Sequence, residues 1–418
     1  IPNAPSIVTV TDNVGTIQNL TSGQSTNDNT PTLAGVTEAD SVVTIRDNGA
    51  VIGTTISDGS GNWSFTPAPA LSEGSHSLTA TVTDGAGNIS PATPPFTLVV
   101  DTLPPAAPVI TSVIDDQPGN TSLANGQLTN DAQPTLNGTG EVGAIITIKD
   151  KGVDIGTAQV DGSGNWTFTP GSALGQGQHV FTAVATDQAG NTGGASSSFT
   201  LELDSIAPVA PVISTVQDNT APTTGPIGNG QTTNETRPAL SGSGEVGATI
   251  TVLSDGLPIG TTTVGAGGTW SFTPTDALGN GTHTLTVTAT DSAGNTSPAS
   301  NGFTLTVDSV SPNAPLITQV TDDVGPLTGN LNNGQATNDA RPTLSGTAEA
   351  NSTVKIYDNG TLIDTVSADG GGAWIFTPGT ALSNGNHTLT VTATDAAGNV
   401  SSTSAGFNIV VDTVAPLA

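Results

Sequence analysis

Leu78-Thr79-Ala80-Thr81-Val82-Thr83, followed at once by Asp84-Gly85-Ala86-Gly87-Asn88, holds the pattern on which the fold turns. Apolar and threonine side chains alternate with period two, as in an antiparallel strand with one buried face. The Gly-Asn pair then reverses the chain. Trp63-Ser64-Phe65-Thr66 alternates in the same way, with both aromatics directed inward. No window holds a 3.6-residue period, and Gly and Pro interrupt most candidates, so the class is all-β.

These stretches recur. Trp63, Trp166, Trp270 and Trp374 stand 103, 104 and 104 residues apart. His76, His179, His283 and His387 keep the same intervals, as do Asp84, Asp187, Asp291 and Asp395, each of which opens a D-x-A-G-N turn. Each repeat closes on an apolar strand and an aspartate (Asp101, Asp204, Asp308 or Asp412), then T/S-x-x-P. A period near 100 residues suits an independent domain better than a solenoid unit. The chain therefore divides into repeats 1–101, 102–204, 205–308 and 309–412, with 413–418 opening a further linker. Ile1-Pro2-Asn3-Ala4-Pro5 matches Ser311-Pro312-Asn313-Ala314-Pro315 in mid-linker, so an excerpt from a longer array is expected.

Within repeat 1, strands are predicted at about 5–12 (A), 31–36 (B), 41–47 (C), 50–56 (D), 62–67 (E), 76–84 (F) and 95–101 (G). Asn48-Gly49 and Asp58-Gly59-Ser60-Gly61 supply hairpin turns between C and D and between D and E. Seven short strands in such a length describe an immunoglobulin-like β-sandwich without a disulfide, the chain having no Cys. The whole is then a tandem array of four such domains, with each Trp in a core. Residues 13–30 between A and B show no strand pattern, and a loop of that length is usually functional or disordered.

Taken alone, composition leans toward disorder, with 52 Gly, 28 Pro, few aromatics and a net charge of −29 from 35 acidic and 6 basic residues. That charge repels phosphate backbones, which are bound through Lys and Arg, so nucleic acid is not an expected partner. No stretch approaches the roughly 20 apolar residues of a membrane span, and Ile1-Pro2-Asn3 lacks a signal-peptide pattern. Without Cys, neither thiolate chemistry nor Cys-type zinc sites are available.

Strand parity sorts the acids onto two poles. Loops AB, CD and EF share one pole with the exit of G; loops BC, DE and FG share the other with the entry of A. At the first lie Asp12, Asp28 and Asp47, repeated as Asp115, Asp131 and Asp150, and as Asp322, Asp339 and Asp358. Repeat 3 departs, with Asp218 and Glu235 in the AB loop and Ser254-Asp255 in place of Asp47-Asn48. At the second pole lie Glu38, Asp58 and Asp84, repeated as Glu141, Asp161 and Asp187, with Glu245 and Asp291, and Glu349 and Asp395, in the last two repeats. The linker residues Asp101, Asp204, Asp308 and Asp412 fall between poles, so carboxylates are expected to converge on each junction.

Gathered carboxylates disfavour one another's ionised forms unless neutralised. Ca2+ accepts 6 to 8 oxygen ligands, which is the donor inventory of these loops, whereas zinc would want His or Cys. All of these acids are candidate Ca2+ ligands, at the junctions and across the ends of the AB loop. The competing reading is that Asx residues simply shape turns; it weighs most for Asp47 and Asp58 inside hairpins. No EF-hand loop is present.

With its T-D-x-A-G-N turns, its G-N-W-x-F-T-P strand and its V-D-T-x-x-P linker, the chain resembles the bacterial Ig-like repeats of giant surface adhesins exported by type I secretion, including biofilm-associated and RTX adhesins. The resemblance implies an extracellular, calcium-rigidified stalk at the bacterial surface that holds a distal ligand-binding domain away from the cell. The expected partners are Ca2+ and neighbouring repeats of the same chain, in a monomer without membrane contact. The alternative is a module that itself binds glycan, ice or a like chain. Catalysis is not expected: each repeat has one His, about 100 residues from the next and placed after a Gly-rich loop at the start of F, where a structural hydrogen bond is the better reading, and no Gly-rich phosphate loop enters a helix.

Overall fold

The computed structural model describes residues 1–117 and 121–415. Two compact units, Ile1–Ser205 and Ile206–Ala418, hold two repeats each. Residues 416–418 of the expected linker lie outside the described residues. Among the described residues there is no helix, and so none long and apolar enough to cross a membrane.

Repeat 1 contains β1 (Ser6–Asp12), β2 (Gln18–Asn19), β3 (Ser25–Thr26), β4 (Thr32–Val36), β5 (Val42–Asp47), β6 (Ala50–Ile56), β7 (Asn62–Phe65), β8 (Gly74–Thr83) and β9 (Phe96–Val100). Predicted strands A to G correspond to β1 and β4 to β9, with small shifts at the ends. The expectation of seven strands and a patternless AB loop is corrected by β2 and β3, which lie inside that loop. Each spans two residues, too few for a side-chain period to be visible.

The strands form two sheets, β2-β1-β4-β7 and β3-β9-β8-β5-β6. All neighbours are antiparallel except β3 and β9, which run parallel with Thr26 opposite Val100. The same parallel pairing recurs in the other repeats, as between Gln127–Thr129 and Phe199–Leu203. Repeat 2 adds a short strand, Thr192–Ala195, beside Gly177–Thr186.

The core lies between the sheets. Along β8 the alternation seen in the sequence becomes alternating burial, and Leu78, Ala80 and Val82 are wholly enclosed. They pack with Val10, Leu33, Ile45, Trp63 and Leu98 in one cluster. Each of the other repeats has its own cluster.

Trp63 fixes how these strands meet. It stands directly across from Gly35 in the β4–β7 register. A Cβ on Gly35 would lie 2.6 Å from the indole and 1.8 Å from the Ser6 carbonyl oxygen. Glycine is thus required by close approach from both sides. Gly138, Gly242 and Gly346 stand in the same relation to Trp166, Trp270 and Trp374. Burying a Trp side chain removes about 150–250 Å² from water, worth roughly 4–6 kcal/mol before entropic costs.

Gly35→Ala should destabilise repeat 1 by about 1–3 kcal/mol through overpacking. Calorimetry should show one transition falling by several degrees while the transitions of repeats 3 and 4 stay in place.

Candidate functional site

At the first pole of repeat 1 the ends of the AB loop are closed by the chain itself. The Asn13 N–H donates to Asp28 Oδ2 at 2.8 Å, and the Val14 N–H donates to Asp12 Oδ1 at 2.8 Å. The Thr26 hydroxyl donates to Asp12 Oδ2 at 2.7 Å and accepts from the Asp28 N–H at 3.1 Å. Asp28 Oδ1 takes the Thr30 N–H at 2.8 Å. Asp12 and Asp28 are both buried, and every carboxylate oxygen has a donor.

The clasp recurs with Asp115 and Asp131 around Thr129, and with Asp322 and Asp339 around Thr337. In repeat 3, Asp218 and Glu235 close on Thr233 in the same way. The extra methylene of Glu235 is accommodated without loss of a bond.

The threonine was not singled out by sequence reasoning. Its signal was the Thr-Asn-Asp/Glu string repeated at Thr26, Thr129, Thr233 and Thr337. Its backbone also matters: the Asp101 N–H donates to the Thr26 carbonyl at 2.9 Å, and Asp204, Asp308 and Asp412 do the same in their repeats. One residue thus ties the end of the first strand to the start of the linker.

Asp47 has another use. His76 Nδ1 lies 2.7 Å from Asp47 Oδ2 while Nε2 donates to the Ser72 carbonyl at 2.8 Å, and the Ser77 N–H donates to Asp47 Oδ1. Asp150 and His179 repeat this arrangement. Asp358 pairs with His387, but its Oδ1 is buried without a donor, because the Thr388 N–H turns to Asn359 Oδ1. In repeat 3, Asp255 does the work from one position later, accepting the Thr284 N–H at 2.8 Å beside His283. Each His is therefore a structural tie, as its place in the sequence implied.

At the second pole, Asp84 organises the FG turn. Its Oδ1 accepts the N–H groups of Ala86 and Asn88, and its Oδ2 accepts Asn88 Nδ2 at 2.9 Å. Those bonds, that from the Asn88 side chain foremost, hold the Asp84 carboxyl below the usual carboxylate range. Within its own turn Asp58 is also held down, by the Asn62 backbone N–H first and the Asn62 side chain second. Asp187, Asp291 and Asp395 repeat the FG geometry. Glu38, Glu141, Glu245 and Glu349 are exposed.

Within each unit the FG turn reaches the preceding linker. Asn191 Nδ2 donates both to Asp187 Oδ2 and, at 2.8 Å, to the carbonyl of Asp101. Asn399 joins Asp395 to the carbonyl of Asp308 at the same distance. The linker aspartates Asp101, Asp308 and Asp412 each accept one backbone N–H on Oδ1, from Leu103, Val310 and Val414. Their Oδ2 atoms have no hydrogen-bond partner among the described residues. A second grip escaped the sequence reading: Glu73, Gln176, Asn280 and Asn384 accept the N–H of Thr102, Ser205, Ser309 and Thr413.

Among the described residues no three His, Asp or Glu side chains gather as a ready metal site. The structure brings Asp12 to Asp28, and Asp101 to Asp187 through Asn191. It commits Asp47 to His76 and leaves Glu38 in solvent. The junction donors are oxygens only, carboxylates and a carbonyl, which matches Ca2+ in kind.

Two measurements test this account. Thr26→Val strands Asp12 Oδ2 and the buried Asp28 N–H, and should cost about 1–3 kcal/mol in thermal unfolding with chelator present. A lowered folded-state pKa means that the unfolded chain binds the proton more readily. The stabilisation from Asp58 and Asp84 is thus complete above about pH 4 and is lost as pH falls through their folded values. The melting point should drop on acidification below that range, and drop less in the Asp58→Asn, Asp84→Asn variant.

Comparison with known proteins follows the repeat boundaries. The bacterial Ig-like domain family matches residues 8–102, 106–205, 210–309 and 315–413. A serine-rich adhesin for platelets from Staphylococcus aureus is 31% identical over 199 residues, which is 46% of this chain and 8% of that protein. The chain thus spans a small fraction of that relative. A tetra-tandem repeat in the extending region of a large adhesion protein aligns over 94% of this chain and 98% of its own, at 22% identity and a TM-score of 0.34. The BSP domain of a biofilm-associated protein aligns over 99% and 97%, at 13% identity and a TM-score of 0.18. With four matched domains covering most of its length, the chain belongs to the bacterial Ig-like domain family.

Proposed function

We propose that the chain is a non-catalytic extender segment of a bacterial cell-surface adhesin, stiffened by Ca2+, which carries a distal ligand-binding domain away from the cell. The observation that carries this reading is the bond from Asn191 to the Asp101 carbonyl, repeated by Asn399 at Asp308. A stalk projects only if successive domains keep a fixed angle, and here a domain's turn grips the linker that leads into it. Family membership and the adhesin relative support the setting.

Calcium enters through the acids that the fold leaves underused. An ion at a junction would take the free Oδ2 of Asp101 or Asp308 and carboxylate lone pairs of Asp187 or Asp395, with water completing the shell. It would offset the repulsion of a chain at −29. At the AB loops, Asp12 and Asp28 retain lone pairs, and an ion there would add to a clasp that hydrogen bonds already close. Extracellular calcium at millimolar concentration would keep even modest sites occupied. The reading as a glycan- or ice-binding module lacks an aromatic platform, since Trp63, Trp166, Trp270 and Trp374 are each only 3% exposed.

Small-angle scattering with and without chelator is the direct test: removing calcium should shorten the mean dimension and lower the melting temperature. Unchanged curves would sink the stiffening mechanism. Asp101→Ala should loosen the first junction alone, with little effect on the stability of the two flanking domains.

A further inference from the structure

One strand edge of repeat 1 differs from its counterparts. β6 ends its sheet and pairs with β5 alone, and Val153–Gln159, Leu257–Thr263 and Thr361–Ser367 hold the same place in the other repeats. Such an edge presents N–H and C=O groups that template pairing with another extended chain. All four strands carry a β-bulge, and three add a second block to pairing. In repeat 2 Asp154, joined to Lys149, stands at the place of Val51. In repeat 3 that place holds Pro258, which has no N–H to offer. In repeat 4 Asp364 replaces Gly53.

Repeat 1 has no second block. Ala50–Ile56 contains neither charge nor proline, and its outward row is apolar at both ends, with Val51 53% and Ile56 68% exposed. Polar side chains, Gln159, Thr263 and Ser367, take the Ile56 place elsewhere. The edge runs along the side of the domain, where a preceding repeat does not cover it. Val153–Gln159 has a repeat before it and shows the same exposure along its length as β6. Asp161 and Asp369, at the place of Asp58, are exposed as Asp58 is.

We infer that β6 is a self-association edge, to which a second copy of this chain adds its own β6 antiparallel across a two-fold axis. The charges at the strand ends select a second copy over an unrelated extended chain. Setting Val51 against Ile56 of the second copy sets Gly49 against its Asp58. Arg46 Nη1 donates to the Gly49 carbonyl at 3.2 Å, so the guanidinium of each copy meets the Asp58 carboxylate of the other, and the two-fold axis makes this contact twice. No other repeat offers the pair: Lys149 is engaged by Asp154, and Leu253 and Tyr357 stand where Arg46 does. The edge is thus neutral along its length and complementary at its ends, in a chain whose net charge of −29 otherwise repels a copy of itself. This departs from the monomer that the sequence leads one to expect. Antiparallel pairing sets the two copies in opposite directions, as stalks from facing cells would lie; the pairing itself rests neither on the extender reading nor on Ca2+.

Sedimentation equilibrium of the whole chain, with chelator present and at physiological ionic strength, where charges more than about 8 Å apart are largely screened, should show a reversible dimer of micromolar to millimolar Kd. Val51→Asp, which gives the strand the residue repeat 2 has there, should weaken the dimer at least about tenfold without lowering the melting temperature. Arg46→Glu and Asp58→Lys, each alone, set like charges together at both contacts and should weaken it to a similar degree. Mixing those two variants restores an opposite pair at each end and should recover the dimer as a heterodimer. Amide exchange should slow at β6 as concentration rises, while protection of β8 reports that repeat 1 stays folded in each variant. If Asp58→Lys unfolds repeat 1, Val51→Asp decides alone. A chain that is still monomeric at about 1 mM, a dimer that Val51→Asp leaves intact, or a mixture of folded variants no tighter than either alone overturns the proposal.

Discussion

An indole lying on a bare glycine is the constraint from which each domain is built. Gly35 lets β4 approach Trp63 within van der Waals distance, and the Ser6 carbonyl closes in from β1. Three strands of one sheet are thereby fixed at a single point, and the ring fills the space that the other sheet must cover. Without disulfides, the domain relies on this packing and on the enclosed β8 residues for its two-sheet registry. Repetition of the Gly–Trp pair in all four domains makes each fold by the same local rule.

The acids are best understood from what donates to them. A carboxylate offers about four lone-pair sites, and a loop-rich domain has many backbone N–H groups that no ladder satisfies. Asp12, Asp28, Asp84 and their counterparts take up those donors and convert loops into fixed structure. Asp47 does the same for a histidine and a strand end. Negative charge at −29 is therefore largely architectural.

Direct bonds from Asn191 and Asn399 orient neighbours inside each unit, and the parallel pairing of β3 with β9 delivers the linker from a fixed point. Cations would act on top of this frame by relieving repulsion.

The alternation around Leu78, the Trp spacing and the D-x-A-G-N turns determined the fold class, the repeat number and the seven principal strands. These are local patterns with a fixed period, so a single chain displays them. The histidine's structural role was also legible, from its constant place after a Gly-rich loop. What the tertiary structure alone decided was the fate of each polar group. Two-residue strands such as β2 and β3 have no period to read. The partner of Asp28 is Asn13, the partner of Asp47 is His76, and that of Asn191 lies in the linker, 90 residues away. Hydrogen bonds depend on where atoms come together in space, and a carboxylate's place in the sequence does not say whether a proton donor or a cation will meet it there.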